Sequence, residues 1–139
     1  MKFRIVTLIS LLAFMGALLP NHANAQDPKQ QVIKFRTQVK PNSDERINLI
    51  MTPMPGNEGV TIEGCELVTL PDNTQAWKVT KSWITVTGPV THFDCNLSAI
   101  DSIHFENPES LKTLIVETNK MGVLDLKGMK ALTYLGASA

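Results

Sequence analysis

Two short polar pairs come nearest to a reactive constellation in this chain, His92-Phe93-Asp94 and His104-Phe105-Glu106. On a strand, i and i+2 side chains share a face, so each pair could offer an imidazole and a carboxylate to one metal ion. The two pairs fall on opposite walls of the coil derived below, so four ligands cannot converge, and the expectation is solvated polar surface with no metal site and no cofactor. Serines and histidines occur without a G-x-S-x-G elbow, a phosphate-binding loop or an H-E-x-x-H pair. Cys65 and Cys95 are the only sulfur nucleophiles. In an oxidising compartment they could pair across about 30 residues and add roughly 3 to 4 kcal/mol. Alternatively Cys95 fills space at an inward position as a small apolar side chain, and spacing alone does not decide between the two.

The elements that must position these residues are mostly strands. From Gln31 to Thr87 apolar residues alternate with polar ones: Ile33, Phe35 and Val39; Ile47, Leu49 and Met51; Val60 and Ile62; Trp77 and Val79; Ile84 and Val86. Period two is the signature of strands. Turn residues punctuate the runs at Pro41-Asn42-Ser43-Asp44, Pro53-Met54-Pro55-Gly56, Pro71-Asp72-Asn73 and Gly88-Pro89. The pattern predicts a small antiparallel unit of about five strands over residues 26–88, with Trp77 and Trp83 as core anchors rather than a ligand platform.

Upstream, Lys2 and Arg4 precede an apolar run from Ile5 to Leu19, and Ala23-Asn24-Ala25 supplies small residues at both positions of a cleavage site. Residues 1–25 therefore read as a signal peptide cut between Ala25 and Gln26. The run is about 15 residues where a membrane span needs about 20. The mature chain is expected to be exported, whether secreted, periplasmic or held at the cell surface, without stable membrane insertion. The 13 Lys and Arg balance 13 Asp and Glu. No single-sign field points to nucleic acid or an acidic lipid.

After Gly88 alternation gives way to an offset of 21 residues that places Val90, Leu111 and Leu132 in register. The same offset aligns Phe93, Leu114 and Leu135; Cys95, Val116 and Ala137; Ile100 and Met121; Ile103 and Leu124; Phe105 and Leu126. These columns describe a coil turning around an apolar axis, over residues 89–139, with two complete units and a shortened third. Asn119 is placed where an amide can satisfy backbone groups left unpaired at the turn, and Ser98 stands there in the first unit. Ile103-His104-Phe105 and Leu124-Asp125-Leu126 predict a second extended wall.

These residues carry a resemblance. Val90 to Ala139 resembles the 21-residue bacterial variant of the leucine-rich repeat, L-x-x-L-x-L-x-x-N-x-L-x-x-L-D-L, found in exported proteins of Bacteroides-like bacteria and related to internalin-type surface proteins. The β-rich segment before it is similar to the cap that often precedes such repeats. The resemblance implies a mainly β protein, a small antiparallel cap followed by a short solenoid. It gives Asp125 a structural place in the L-D-L triplet. It also implies a protein-binding or adhesion function without catalysis, on a concave strand face displaying His92, Asp94, Asn96, Lys112, Thr113, Ile115, Glu117 and Tyr134. Ile115 and Tyr134 would form a small apolar anchor in a polar rim, facing an unidentified host or bacterial protein.

The third unit stops after eight residues, with no recognisable closing cap. Leu132 and Leu135 would then lie half covered, each forfeiting up to roughly 1.5 to 3 kcal/mol of burial. A truncated copy, or an assembly subunit pairing through its open end, is the alternative expectation. A small extracellular hydrolase is a further one, supported only by polar residues without an assigned role.

Overall fold

Alternation dictates the first strand, β1 (Val32–Thr37): Ile33, Phe35 and Thr37 are buried on one face while Lys34 and Arg36 stand in solvent on the other. The computed structural model describes residues 30–57 and 59–138, which hold strands and no helix. The segment expected to be a signal peptide, with the cleavage expected between Ala25 and Gln26, lies outside the described residues.

Among the described residues eleven strands form three open sheets. One is antiparallel throughout, in the order β4 (Thr61–Glu63), β7 (Trp83–Thr87), β1, β9 (Ile100–Glu106). A smaller antiparallel sheet has β6 (Gln75–Val79) between β2 (Arg46–Ile47) and β5 (Cys65–Thr69). The third runs β11 (Tyr134–Gly136), β10 (Thr113–Ile115), β8 (Val90–Asp94), β3 (Ile50–Pro53), the first three parallel and β3 antiparallel to β8. The two four-stranded sheets share one apolar core, in which Phe35 meets Phe93 edge to face at 5.9 Å between ring centroids.

The described residues up to Thr87 contain seven strands where about five are expected, and these do not form a unit of their own. β1 pairs with β9 and β3 with β8, so strands from both sides of Gly88 share sheets. A strand has two hydrogen-bonding edges, and β1 uses both, one for β7 and one for β9. The change of pattern at Gly88 marks a change in connectivity rather than a gap in packing. Likewise the run Ile47, Leu49, Met51 is split between two sheets. At the break, Asn48 N donates to Ser98 Oγ at 3.0 Å, Ser98 Oγ donates to Asn48 O at 2.7 Å, and Trp77 Nε1 donates to Leu49 O at 2.8 Å. Side chains thus take over backbone groups that a continuous strand would have paired.

The parallel strands pair in a register of 21 residues: His92 with Thr113 and Tyr134, Phe93 with Leu114 and Leu135, Asp94 with Ile115 and Gly136. The ladder continues past the strand ends through Lys112 N to Thr91 O, Cys95 N to Ile115 O, Val116 N to Gly136 O and Thr118 N to Ser138 O, all between 2.7 and 2.9 Å. Phe93 and Leu114 are fully buried, whereas Leu135 in the same column is 40% exposed and Leu132 is half-buried.

The chain turns next to Leu97 and Thr118, 21 residues apart, and both have left-handed backbones (φ 52° and 51°). Such a backbone is costly for a β-branched side chain and routine for asparagine. Thr118→Asn should therefore raise stability by about 1 kcal/mol, read as a higher urea midpoint with an unchanged slope.

The second wall differs from expectation. Ile103-His104-Phe105 lies in β9 and pairs with β1, while Leu124-Asp125-Leu126 is irregular. Lys120 N still reaches Ile100 O at 2.7 Å, but no strand ladder follows. Instead the Asp125 carboxylate accepts from Lys127 N at 2.9 Å, a local turn that competes with extended pairing, and Val123 is left 81% exposed.

Candidate functional site

The register builds a two-row surface on the outer face of the β8 sheet. Inward Met51, Phe93, Leu114 and Leu135 force their neighbours outward. One row is Thr52, His92, Thr113 and Tyr134; the other is Ile50, Asp94, Ile115 and Gly136. Ile50 and Tyr134 are more than half exposed, and His92, Thr113 and Ile115 are half-buried.

Of the residues named from sequence, His92, Thr113, Ile115 and Tyr134 thus come together across adjacent strands. Asp94 is in the row but buried, its carboxylate accepting from Asn96 N at 2.9 Å, so it holds the strand end rather than awaiting a ligand. Asn96 is engaged too, its Oδ1 accepting from Asn48 Nδ2. Lys112 is exposed just before β10, and its carbonyl accepts from Thr133 N and Tyr134 N. Glu117 leans over Gly136, its Oε1 lying 2.8 Å from where a Cβ on that glycine would stand. Asn119 works inside the turn: Oδ1 accepts from Ser98 N and Ile100 N, and Nδ2 donates to three carbonyls. Ser98 takes a different partner, the Asn48 backbone, through its hydroxyl.

Sequence reasoning missed Ile50 and Thr52. The signal was present, because alternation through Leu49 and Met51 assigns Ile50 to the outer face, where an isoleucine is out of pattern.

Trp83 is a correction. Trp77 packs half-buried against the core, but Ile84 and Val86 point inward from β7, so Trp83 must point out. Its ring lies 5.1 Å from Lys34 Nζ and 5.6 Å from the Arg36 guanidinium carbon, with the His104 ring at 6.1 Å. Arg36 Nε donates to Asp101 at 2.7 Å, and this guanidinium holds the Asp101 carboxyl below its usual range. Because that pKa is depressed in the fold, the pair's contribution is present above the ordinary carboxylate range and fades as pH falls through the lowered value. His104 is on this sheet and His92 on the β8 sheet, so the two polar pairs stay apart. Among the described residues no three His, Cys, Asp or Glu side chains are grouped to hold a metal.

Cys65 and Cys95 are not bridged; both are buried free thiols. Burial pushes the Cys65 thiol up to about 11, and burial together with the adjacent Asp94 charge pushes Cys95 up as well. The fold favours the neutral thiols, a contribution that is full below the ordinary thiol range and is lost as pH rises towards the raised values. Neither thiol should react with an aromatic disulfide reagent at pH 8 in native buffer, while urea should release two per chain. Zero released thiols would show a disulfide instead.

Among the described residues no helix is long and apolar enough to cross a membrane. Comparison with protein-family models, with curated proteins and with solved structures finds no match to this chain.

Proposed function

We propose that the chain is an exported protein-binding or adhesion module of the leucine-rich-repeat type, in which the β-rich N-terminal segment shares its sheets with a short solenoid and the outer face of the β8 sheet recognises a protein partner. The observation that supports this reading best is the 21-residue register, which stacks His92, Thr113 and Tyr134 on neighbouring strands. Hydrogen-bonded strands hold these side chains in place before binding, which lowers the ordering cost of recognition. Ile115 and Tyr134 supply the apolar anchor, with His92, Thr113 and Lys112 as its polar surround. No catalytic group or cofactor enters this function.

A photo-crosslinking residue in place of Thr113 should give one discrete protein adduct in the producing cell, lost when Ile115 and Tyr134 are both changed to alanine. The same crosslinker in place of Thr85, on the other four-stranded sheet, should not give it. An adduct indifferent to the alanines would refute the reading, provided the variant unfolds at the native midpoint.

A second reading is favoured by Leu135, 40% exposed in a column whose other members are buried. The outer edge of β11 has no strand beside it among the described residues and could pair with another copy. A sedimentation coefficient of a monomer at every concentration would remove this reading.

A further inference from the structure

Among the described residues β9 is the longest strand, and it lies at the edge of its sheet, where exposed backbone groups invite another chain. The hydrogen-bonding phase of β1 shows which groups those are. Gly88 N donates to Gln31 O at 2.9 Å and Thr37 N to Ser82 O at 3.1 Å, so the odd-numbered residues of β1 bond towards β7. Its even-numbered residues therefore bond towards β9, at Ser102, His104 and Glu106. Ile103 and Phe105 must then turn their N–H and C=O groups to the opposite edge, where among the described residues no partner reaches them.

A groove of about 330 Å³ runs along that edge, with Ile103 and Phe105 on one side and Asp125 and Gly128 on the other. The 21-residue offset would lay Leu124-Asp125-Leu126 here as a strand, yet three features hold that segment in turns. The Asp125 carboxylate accepts from Lys127 N at 2.9 Å, Met129 N donates to Leu126 O at 3.2 Å, and Gly128 is left-handed (φ 82°). Phe105, which points inward from β9, is consequently only half-buried.

We propose that the β9 edge takes an extended segment of a polypeptide partner as a fifth strand of this sheet, with an aliphatic side chain beside Phe105 and polar residues flanking it. The chemistry of the edge selects this occupant. Ile103 and Phe105 each offer one backbone donor and one acceptor at strand spacing, which another main chain satisfies in full. A residue opposite Phe105 shares its inward face, and the exposed part of that ring calls for an apolar neighbour. A second copy is excluded by the far wall, because its β9 carries its own β1 on one edge and its own Asp125 to Gly128 segment along the other. The proposal extends the protein-binding reading above to a second surface of the same chain, and it rests on that reading for the partner.

The test uses the whole chain, deuterium exchange of its amides, and the synthetic peptide acetyl-Lys-Thr-Val-Thr-Val-Thr-amide. In the chain alone the His104 amide should exchange at least about a hundredfold more slowly than those of Ile103 and Phe105. The peptide should slow Ile103 and Phe105 saturably, by at least about tenfold. An analogue methylated on every backbone nitrogen, and one with serine for both valines, should bind at least about tenfold more weakly. Unchanged exchange in the presence of the peptide, or equal binding of the methylated analogue, would overturn the proposal. Slow exchange of Ile103 and Phe105 in the chain alone would overturn it too, in favour of a second copy if the slowing grows with protein concentration and of the chain's own later segment if it does not. The Thr113 crosslink separates the two readings: an adduct that persists while the peptide leaves β9 unchanged keeps the sheet face and removes the edge site, and a missing adduct with a protected β9 edge does the reverse.

Discussion

Asn119→Ala is expected to destabilise the protein by about 3 to 4 kcal/mol, far more than its half-buried position suggests. The Asn119 Oδ1 accepts from Ile100 N at 2.9 Å and Ser98 N at 3.2 Å, and its Nδ2 donates to Cys95 O, Val116 O and Glu117 O at 2.9, 3.0 and 3.2 Å. One amide therefore ties two consecutive turns to each other. Alanine leaves two N–H donors and three carbonyls without that partner, each worth about 1 to 3 kcal/mol if kept dry, and water entering the gap recovers part of the sum. Asn119→Asp keeps the acceptor but loses both donors, so it should fall on the same side. Asp125→Ala is the control: its single exposed bond to Lys127 N predicts a loss below about 1 kcal/mol. Urea unfolding followed by far-ultraviolet dichroism measures all three, and equal midpoints for the alanine variants would mean that the amide does not organise the turn.

The role of Asn119 was legible because its chemistry is local: a turning chain strands backbone groups, and an amide both donates and accepts. The register of β8, β10 and β11 was legible for a related reason, since parallel neighbours at a constant offset show in the sequence as columns of like residues. Antiparallel neighbours leave no such trace. Nothing in the spacing of Ile50 to Pro53 says that this strand lies beside β8, or that β1 lies between β7 and β9. Alternation turns Ile50 and Thr52 outward, but only the pairing with β8 adds them to the row of the candidate face.

Trp83 was misplaced for the opposite reason. Its phase follows from Ile84 and Val86, which define the inner face, and in β7 that alternation outweighs the general burial of large aromatic rings. The second wall shows how far a pattern reaches. Ile103 and Phe105 alternate just as Leu124 and Leu126 do, yet only the first pair lies in a strand, because β1 offers β9 a long antiparallel edge while the Asp125 turn breaks up the later segment. Apolar alternation permits a strand, and an available hydrogen-bonding edge decides whether one forms.

Gly64→Ala should have the largest effect of any single methyl group in this chain, a loss of at least about 4 kcal/mol or failure to accumulate folded protein. Gly64 lies between β4 and β5, where the chain leaves one sheet for another, with φ 92°. A Cβ there would stand 2.4 Å from Trp83 O, 3.1 Å from Ile84 Cα and 3.2 Å from Ile84 Cγ1. The nearest obstacle is backbone, and β7 cannot retreat because β4 and β1 hold it on both edges. Gly64 O also accepts from Thr80 N and Lys81 N, so moving the glycine instead would break the start of the turn into β7. Gly136→Ala provides the contrast. The nearest atoms to its Cβ would all belong to the Glu117 side chain, Oε1 at 2.8 Å and Cδ and Cγ at 3.3 Å, and that flexible side chain can swing into solvent, so the cost should stay below about 1 kcal/mol. Thermal midpoints of the two alanine variants test the difference. A folded Gly64→Ala protein with a native midpoint would mean that the chain does not cross between sheets at this close approach, whereas a large loss for Gly136→Ala would mean that Glu117 is locked over β11 and unavailable to a partner.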